Sequence, residues 1–511
     1  MTNAELPEQY SDEHLKLGRE EFDADNLTDA DMDQIKEQRE GDEPDGGFMR
    51  WVITLFGTGV GAGILFLPIN AGSFGFWPLV IATLLIGPMV FFSHRTYARI
   101  VSASPVKGLD VLQVITALTG RKRGFISAVL YWLGIYPTVL IYGISITNTL
   151  DSFIVNQFGG EHMSRWLLAT ISVGIMTGAY ALSKKITLWL ANVLVYPLII
   201  ALAAVSLYLI PSWDLDSFRA YESQYPVWQG LLLILPVLVF SFSHMAALSQ
   251  FALDVQKKLG DDVGAVEREV SKVELVTAVM LVSFTMFFVW SCALSLGAEG
   301  MDAAREQNVP VLSYLANETN TPFMAWMSPI IAIGAIVTSY FGHLLGTEEG
   351  TGYLVRVVAP GFASRVSTTA LRWTVNIFVF VTAVLVAVAN PSILDMISVV
   401  GGIFVAFLVY IMPVLLFNKA TAFKHYARRP DTIFVCVVGL VIVAVVASFA
   451  RVSSRSAHRH VFRRRTATTP RSHRAPIPES PDCPAPCGPS GPGLRRCRGG
   501  RPHAPNSRRS G

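Results

Sequence analysis

The residues best placed to do chemistry lie where long apolar runs are interrupted. Trp51–Asn70 reads WVITLFGTGVGAGILFLPIN, with Gly57, Gly59, Gly61 and Gly63 and the hydroxyl of Thr58 at its centre. Glycine costs about 1 kcal/mol per site in a helix relative to alanine, and lipid holds no water to satisfy a freed backbone group. Four glycines there mean either a backbone that opens, offering N–H and C=O groups to a ligand, or one that packs very closely on a neighbour. A second interruption is LLLILPVLVFSFSHMAAL, where Pro236 removes a backbone hydrogen bond and Ser241, Ser243 and His244 follow. Serine and histidine are costly in lipid unless they face a cavity. A third polar patch is Thr338–Ser339, with His343 one turn further on. The loop serines and acids have no base or partner at a diagnostic spacing, so the sequence does not read as an enzyme. The glycines lack the strand–turn–helix context of a nucleotide site.

The elements that carry these residues are membrane spans. A length of 511 residues would by itself suggest about three soluble domains. Only 15% of the residues are charged, 51% are hydrophobic, and the mean hydropathy is +0.44. Apolar runs near the length of a membrane helix recur along the chain. Eleven are expected: Trp51–Asn70, Phe76–Tyr97, Gly124–Leu150, Trp166–Leu182, Thr187–Ile210, Trp228–Phe251, Val273–Leu296, Trp326–Thr347, Leu371–Ala389, Ile393–Phe417 and Thr432–Ala450. The fold class is therefore an all-α polytopic membrane protein. The membrane domain covers residues 50–450, between an acidic N-terminal segment, 1–49, and a basic tail, 451–511.

Loop charge sets the expected orientation. The loop after the second span contributes Arg95, Arg99, Lys107, Arg121, Lys122 and Arg123, and the later even-numbered loops also carry two or more basic residues each. The odd-numbered loops carry Arg165, Arg219 and Arg305 at most, so the N-terminus is expected inside. Residues 1–50 hold 16 acids against 5 bases, and 1–49 reads as a largely disordered cytoplasmic extension without a cleavable signal. Residues 451–511 hold 14 arginines, no lysine and 2 acids. On the outer side this breaks the charge pattern. We read it as a disordered, non-native appendage, such as an out-of-frame end of a GC-rich gene, in preference to an arm for anionic lipid or nucleic acid. The tail's Cys483 and Cys487, spaced C-x₃-C without a companion histidine, are weak evidence for metal. His94 and Arg95, ending the second span, read as interface anchors, and Glu348 and Glu349 as capping or gating groups.

The positions of the two interruptions matter more than either alone. Inverted-repeat transporters place a broken helix at corresponding points of their two halves. If the first span opens a repeat of five, the sixth opens the next, and that is the span broken at Pro236. Repeat one would cover about 50–210, repeat two about 228–417, and 432–450 would be one extra helix.

Several segments together resemble a family. FGTGVGAGILFLPINAG, IYGISITNT in the third span, VFSFSH in the sixth, PVLSYLAN in the following loop, SYFGHLLGTEEG in the eighth and ANPSILDMI near the tenth resemble the bacterial serine/threonine permeases of the hydroxy and aromatic amino acid permease family. The resemblance covers about residues 50–450 and neither terminus, and family members end near Ala450. It implies an inner-membrane symporter with eleven spans and the 5+5 inverted-repeat fold of the leucine transporter. The implied substrate is L-serine and/or L-threonine. A zwitterion needs donors for its carboxylate and acceptors for its ammonium, and an opened backbone over Thr58, Gly59, Gly61, Ala62 and Gly63 offers both. Carbonyls near Phe240, Ser241, Phe242 and Ser243 would receive the ammonium. Ser241, Ser243 and Asn148 are candidates for a small polar pocket, and Tyr142 closes over the substrate by analogy with the fold.

Coupling is where this sequence departs from the resemblance, which implies a lysine at the position of Thr338. A lysine there would fill a cation site and exchange protons. Thr338 and Ser339 instead offer two hydroxyls that, with carbonyls of Gly59 and Ala62, resemble a sodium site of this fold, and hard cations prefer oxygen ligands. The coupling ion is Na⁺ or H⁺, with Na⁺ favoured, and His343 is a candidate proton relay or a satisfied structural histidine. No cofactor, nucleic acid or obligate protein partner is implied beyond the amino acid and the bilayer. The alternatives are a symporter for another amino acid, such as tryptophan or tyrosine, and a non-transporting amino acid sensor. A channel lacks its ring of pore charges.

Overall fold

Backbone that must satisfy its own polar groups in lipid has few options, and among the described residues this chain takes the helical one, with no strand. The structure is a computed structural model and describes residues 20–27, 32, 47–260, 262–318, 321–363 and 365–466. The chain divides into two units, 1–453 and 454–511. In the second, only the backbone of 454–466 is described, and it is helical.

Nine of the described helices are long and apolar enough to span a bilayer, and two bent pairs raise the number to eleven. The first span is the bent pair Phe48–Gly59 and Gly63–Gly72, and the sixth is Val227–Ser241 with Met245–Leu259. The others are Phe76–Ser102, Arg121–Asn156, Arg165–Leu182, Lys184–Ser212, Val263–Gln307, Pro322–Val358, Thr369–Ala389, Ile393–Lys419 and Pro430–Ser448. Large apolar side chains such as Leu84, Ile175, Trp189, Ile200 and Ile377 stand exposed on these helices, which lipid accepts and water does not. The bounds run past the apolar runs because polar turns continue a helix. The seventh starts at Val263, not Val273, and turns at Gly297, whose φ of +65° suits glycine. The tenth widens into π-helix over Val400–Val405 and Phe407–Ile411, where Gly401 and Gly402 press on Pro236 of the sixth span.

Two expectations change. His94 and Arg95 are not interface anchors, since the second span continues to Ser102 and carries them inside the bundle. Arg99 is buried, its Nε donating to Glu267 of the seventh span at 2.9 Å and its Nη1 to Asp431 of the eleventh at 2.8 Å. Arg95 also pairs with Asp431, and the Tyr426 hydroxyl donates to Glu267 at 3.0 Å. Burial raises the Tyr426 phenol above its ordinary pKa, so it acts here as a donor. Loop-charge counting cannot see this network, because its acids lie far away in sequence. The other change is at residues 20–27, which are packed: Leu27 joins the core, and the Glu21 carboxylate accepts from the Thr421 N–H at 2.7 Å. Most of the remaining acidic segment, and the tail from 467 on, lie outside the described residues.

The Arg99 network gives a stability test. Arg99→Ala takes one partner from the buried Glu267 and the half-buried Asp431, each of which keeps a second arginine, so the loss is expected below the ~3–5 kcal/mol of a fully stranded buried charge. Thermal unfolding of the purified protein in detergent is expected to show a clearly lower midpoint for Arg99→Ala and a partial recovery for Arg99→Lys, which keeps the charge without the bridging fork. Equal midpoints for Arg99→Ala and the parent would remove this network from the account of stability.

Candidate functional site

The breaks form where the sequence stops supporting a helix. The first helix ends at Val60 (φ −81°, ψ 76°), Gly61 is extended (φ −118°, ψ −172°), and a tight turn over Ala62–Leu65 leads into Leu67–Gly72. The two pieces of the span bend by 52°. In the sixth span the helix ends at Ser241, Phe242 and His244 leave helical geometry, and the bend is 50°. The breaks touch. Ser241 Oγ donates to the Gly63 carbonyl at 3.0 Å. A Cβ on Gly63 would lie 3.0 Å from the Phe240 ring and 3.3 Å from Ser241 Cα, so glycine is what lets the strands of backbone meet.

The third and eighth spans supply the other wall. Tyr142 is buried, its hydroxyl is turned to the Ser339 side chain, and its ring stands nearly perpendicular to that of His343 at 5.2 Å between centroids. His343 Nδ1 lies 2.9 Å from the Ser339 carbonyl, an acceptor only, which assigns the proton to that nitrogen. A Cβ on Gly61 would lie 3.0 Å from Ser339 Oγ. Gly61, Gly63, Phe240, Ser241, Tyr142, Ser339 and His343 are therefore brought to one place, from four spans.

The remaining sequence candidates fall into three groups. Thr58 and Thr338 bond back to their own helices, at 2.8 Å to the Thr54 carbonyl and 3.1 Å to the Ala335 carbonyl. At the breaks themselves, the Gly59 carbonyl accepts from Gly61 N–H at 3.0 Å, Ala62 opens the tight turn, Phe242 is fully buried and Ser243 is half-buried. Asn148 stands apart, and its amide is already in use. It donates to the Asn308 carbonyl at 2.7 Å and to Asn390 Oδ1 at 3.1 Å, and accepts from Arg165 at 2.6 Å. Asn308 and Asn390 are the described non-glycine residues with positive φ, and each bonds the other across two loops.

The structure adds Glu274, which sequence reasoning passed over, and joins it to two histidines that reasoning had noted separately. His94, at 2% exposure, and His244 and Glu274, at 0%, form a buried polar chain beside the sixth-span break. The His rings stack at 3.9 Å, and His244 Nε2 lies 3.1 Å from Glu274 Oε2. Glu274 is the second residue of the expected seventh span, and sequence reasoning gave it no role. An acid inside an apolar run was the available signal.

With this geometry in hand, comparison with known proteins is specific. The model of the tryptophan/tyrosine permease family matches residues 47–453. The chain is 38% identical over 402 residues to the serine transporter SdaC of Escherichia coli (strain K12), covering 78% of this chain and 93% of that one. It is 37% identical over 402 residues to the protein of the same name from Shigella flexneri, with the same coverage. Among solved structures, a histidine-to-alanine mutant of the manganese transporter of Eremococcus coleocola superposes with a TM-score of 0.56 at 15% identity, over 80% of this chain and 89% of that one. At that identity the likeness is one of fold.

Two substitutions test the contact between the breaks. Ser241→Ala removes one buried hydrogen bond of about 1 kcal/mol, so ligand affinity measured by calorimetry is expected to fall several-fold with folding intact. Gly63→Val forces the Phe240 ring and the Ser241 backbone apart, and binding is expected to disappear. Unchanged affinity in both variants would detach this contact from the site.

Proposed function

We propose that this chain, which belongs to the tryptophan/tyrosine permease family, is a secondary symporter importing L-serine and/or L-threonine by alternating access. It is a multi-pass membrane amino acid transporter of the leucine-transporter fold class, not an enzyme. The single observation carrying the finer reading is the meeting of the two broken spans at Gly63 and Ser241. That junction gathers backbone groups of both polarities in the middle of a bundle, as a zwitterion requires. The similarity to the serine transporters supports a small hydroxylated substrate. In this reading the turn at Gly61–Gly63 receives the carboxylate, carbonyls near Phe240 and Phe242 receive the ammonium, and Tyr142 covers the bound amino acid.

For the coupling ion we place Na⁺ between the carbonyls of Gly59 and Ala62 and the hydroxyls of Thr338 and Ser339. Thr338 donates its proton to Ala335, which leaves its oxygen lone pairs for a cation. The loop-charge pattern supports a bacterial inner-membrane protein with its N-terminus inside.

Reconstituted full-length protein is expected to exchange radiolabelled L-serine across proteoliposomes and to accumulate it when driven by an inward Na⁺ gradient at fixed pH. Thr338→Ala with Ser339→Ala should weaken the Na⁺ dependence and leave exchange in place. Binding without accumulation would replace the transporter with a sensor, and stronger competition by tryptophan or tyrosine than by threonine would replace the substrate. Uptake indifferent to Na⁺ would remove the ion assignment.

A further inference from the structure

The buried chain at the sixth-span break has a hydrogen-bond inventory that determines what it holds. His94 Nδ1 lies 3.0 Å from the Val90 carbonyl, so it carries a proton, and His94 Nε2 accepts the backbone N–H of His244 at 3.3 Å. His94 is thereby fixed as one neutral tautomer. His244 Nδ1 lies 3.2 Å from the Phe242 carbonyl, which only accepts, so it too carries a proton. That leaves His244 Nε2 facing Glu274 Oε2 at 3.1 Å. With no proton between them, a lone pair would oppose a carboxylate in a site closed to water. With one proton, the pair is either imidazolium and carboxylate or neutral imidazole and carboxylic acid, and is net neutral both ways. The second Glu274 oxygen, Oε1, is buried without a hydrogen-bond partner.

The surroundings add no charge that would replace this proton. From the second span, Ser93 Oγ lies 3.1 Å from His94 Nδ1 and donates to the Val90 carbonyl at 3.2 Å. The Thr96 and Thr277 hydroxyls are buried nearby on the second and seventh spans without partners. Arg95 and Arg99 are engaged with Asp431 and Glu267, and Glu267 lies two turns, about 10 Å, before Glu274 on its helix. Lys272 is exposed. His94 and His244 each hold a backbone group of the break itself, the His244 N–H and the Phe242 carbonyl, and the neighbouring Ser241 holds Gly63.

We infer that His244 and Glu274, braced by His94, bind one exchangeable proton whose presence holds the sixth-span break in this geometry and whose release lets it rearrange. The inference rests on the transporter reading and adds a proton station to it, separate from the Thr338–Ser339 position. The proton enters between Nε2 and Oε2 from one side of the membrane and leaves to the other. Losing it sets like polarity face to face, so the His244 ring turns and frees the Phe242 carbonyl. No other group is consumed.

Full-length parent and Glu274→Gln proteins in proteoliposomes test this, with exchange and pH-driven accumulation of radiolabelled L-serine measured side by side. Glutamine donates to Nε2 without titrating, which mimics the loaded state. With one proton per serine, the parent is expected to respond to an inward gradient of one pH unit with about a tenfold accumulation ratio. Where Glu274→Gln still exchanges serine, its accumulation ratio is expected to fall to one. If Glu274→Gln does not exchange, Glu274→Asp decides: a displaced pH midpoint of exchange supports the site, and the parent's profile overturns it. Accumulation in Glu274→Gln equal to the parent, or a parent that ignores the pH gradient while exchanging serine, overturns the inference. A parent that does not exchange serine at all overturns the transporter reading instead.

Discussion

A helix broken inside a bilayer exposes backbone groups that lipid cannot satisfy, and this structure follows from how they are satisfied. The hydrogen bond from Ser241 Oγ to the Gly63 carbonyl closes one break with the other. It requires glycine at 63, because a side chain would strike Phe240 and Ser241. It also requires the sixth span to end its first helix at Ser241, which Pro236 and the wide π-turns of the tenth span allow. The spans around this junction are arranged so that it stays polar within an apolar bundle.

Two polar clusters fasten the ends of the bundle, and they differ in kind. At one end Arg99 bridges Glu267 and Asp431, joining the second, seventh and eleventh spans through charge. Towards the other end of the third span, Asn148 and Arg165 join the loops at Asn308 and Asn390 through neutral and singly charged hydrogen bonds. Removing one partner of a buried charge pair is costly, more so than losing one neutral hydrogen bond. The loops at the asparagine end rest on Asn308 and Asn390, both held at positive φ.

Between these ends, the polar groups beside the two breaks differ in kind. Beside the first break the neighbours are oxygens, with Ser339 Oγ close against Gly61. The buried His94–His244–Glu274 chain lies against the second break, and its histidines hold the break's own backbone groups. Each broken span thus has its own polar cluster beside it, and the Ser241–Gly63 hydrogen bond connects the two.

The sequence alone was enough for the architecture. Apolar run length marks membrane spans because the bilayer has a fixed thickness, and all eleven expected runs coincide with spans or bent pairs of the structure. It also located both breaks, since four glycines and a proline with following hydroxyls violate helix chemistry at defined points. Tertiary structure decided which polar side chains serve those breaks. Tyr142 and Ser339 do meet, but Asn148, one to two turns beyond Tyr142 on the same helix, is drawn into the loop network. His94 and Arg95 looked like anchors at a span's end and are interior because the helix continues. The pairing of His244 with Glu274 was invisible for a simple reason. Hydrophobic periodicity reports which face of a helix avoids water, while the partner of a buried polar group is set by helices that meet only after folding.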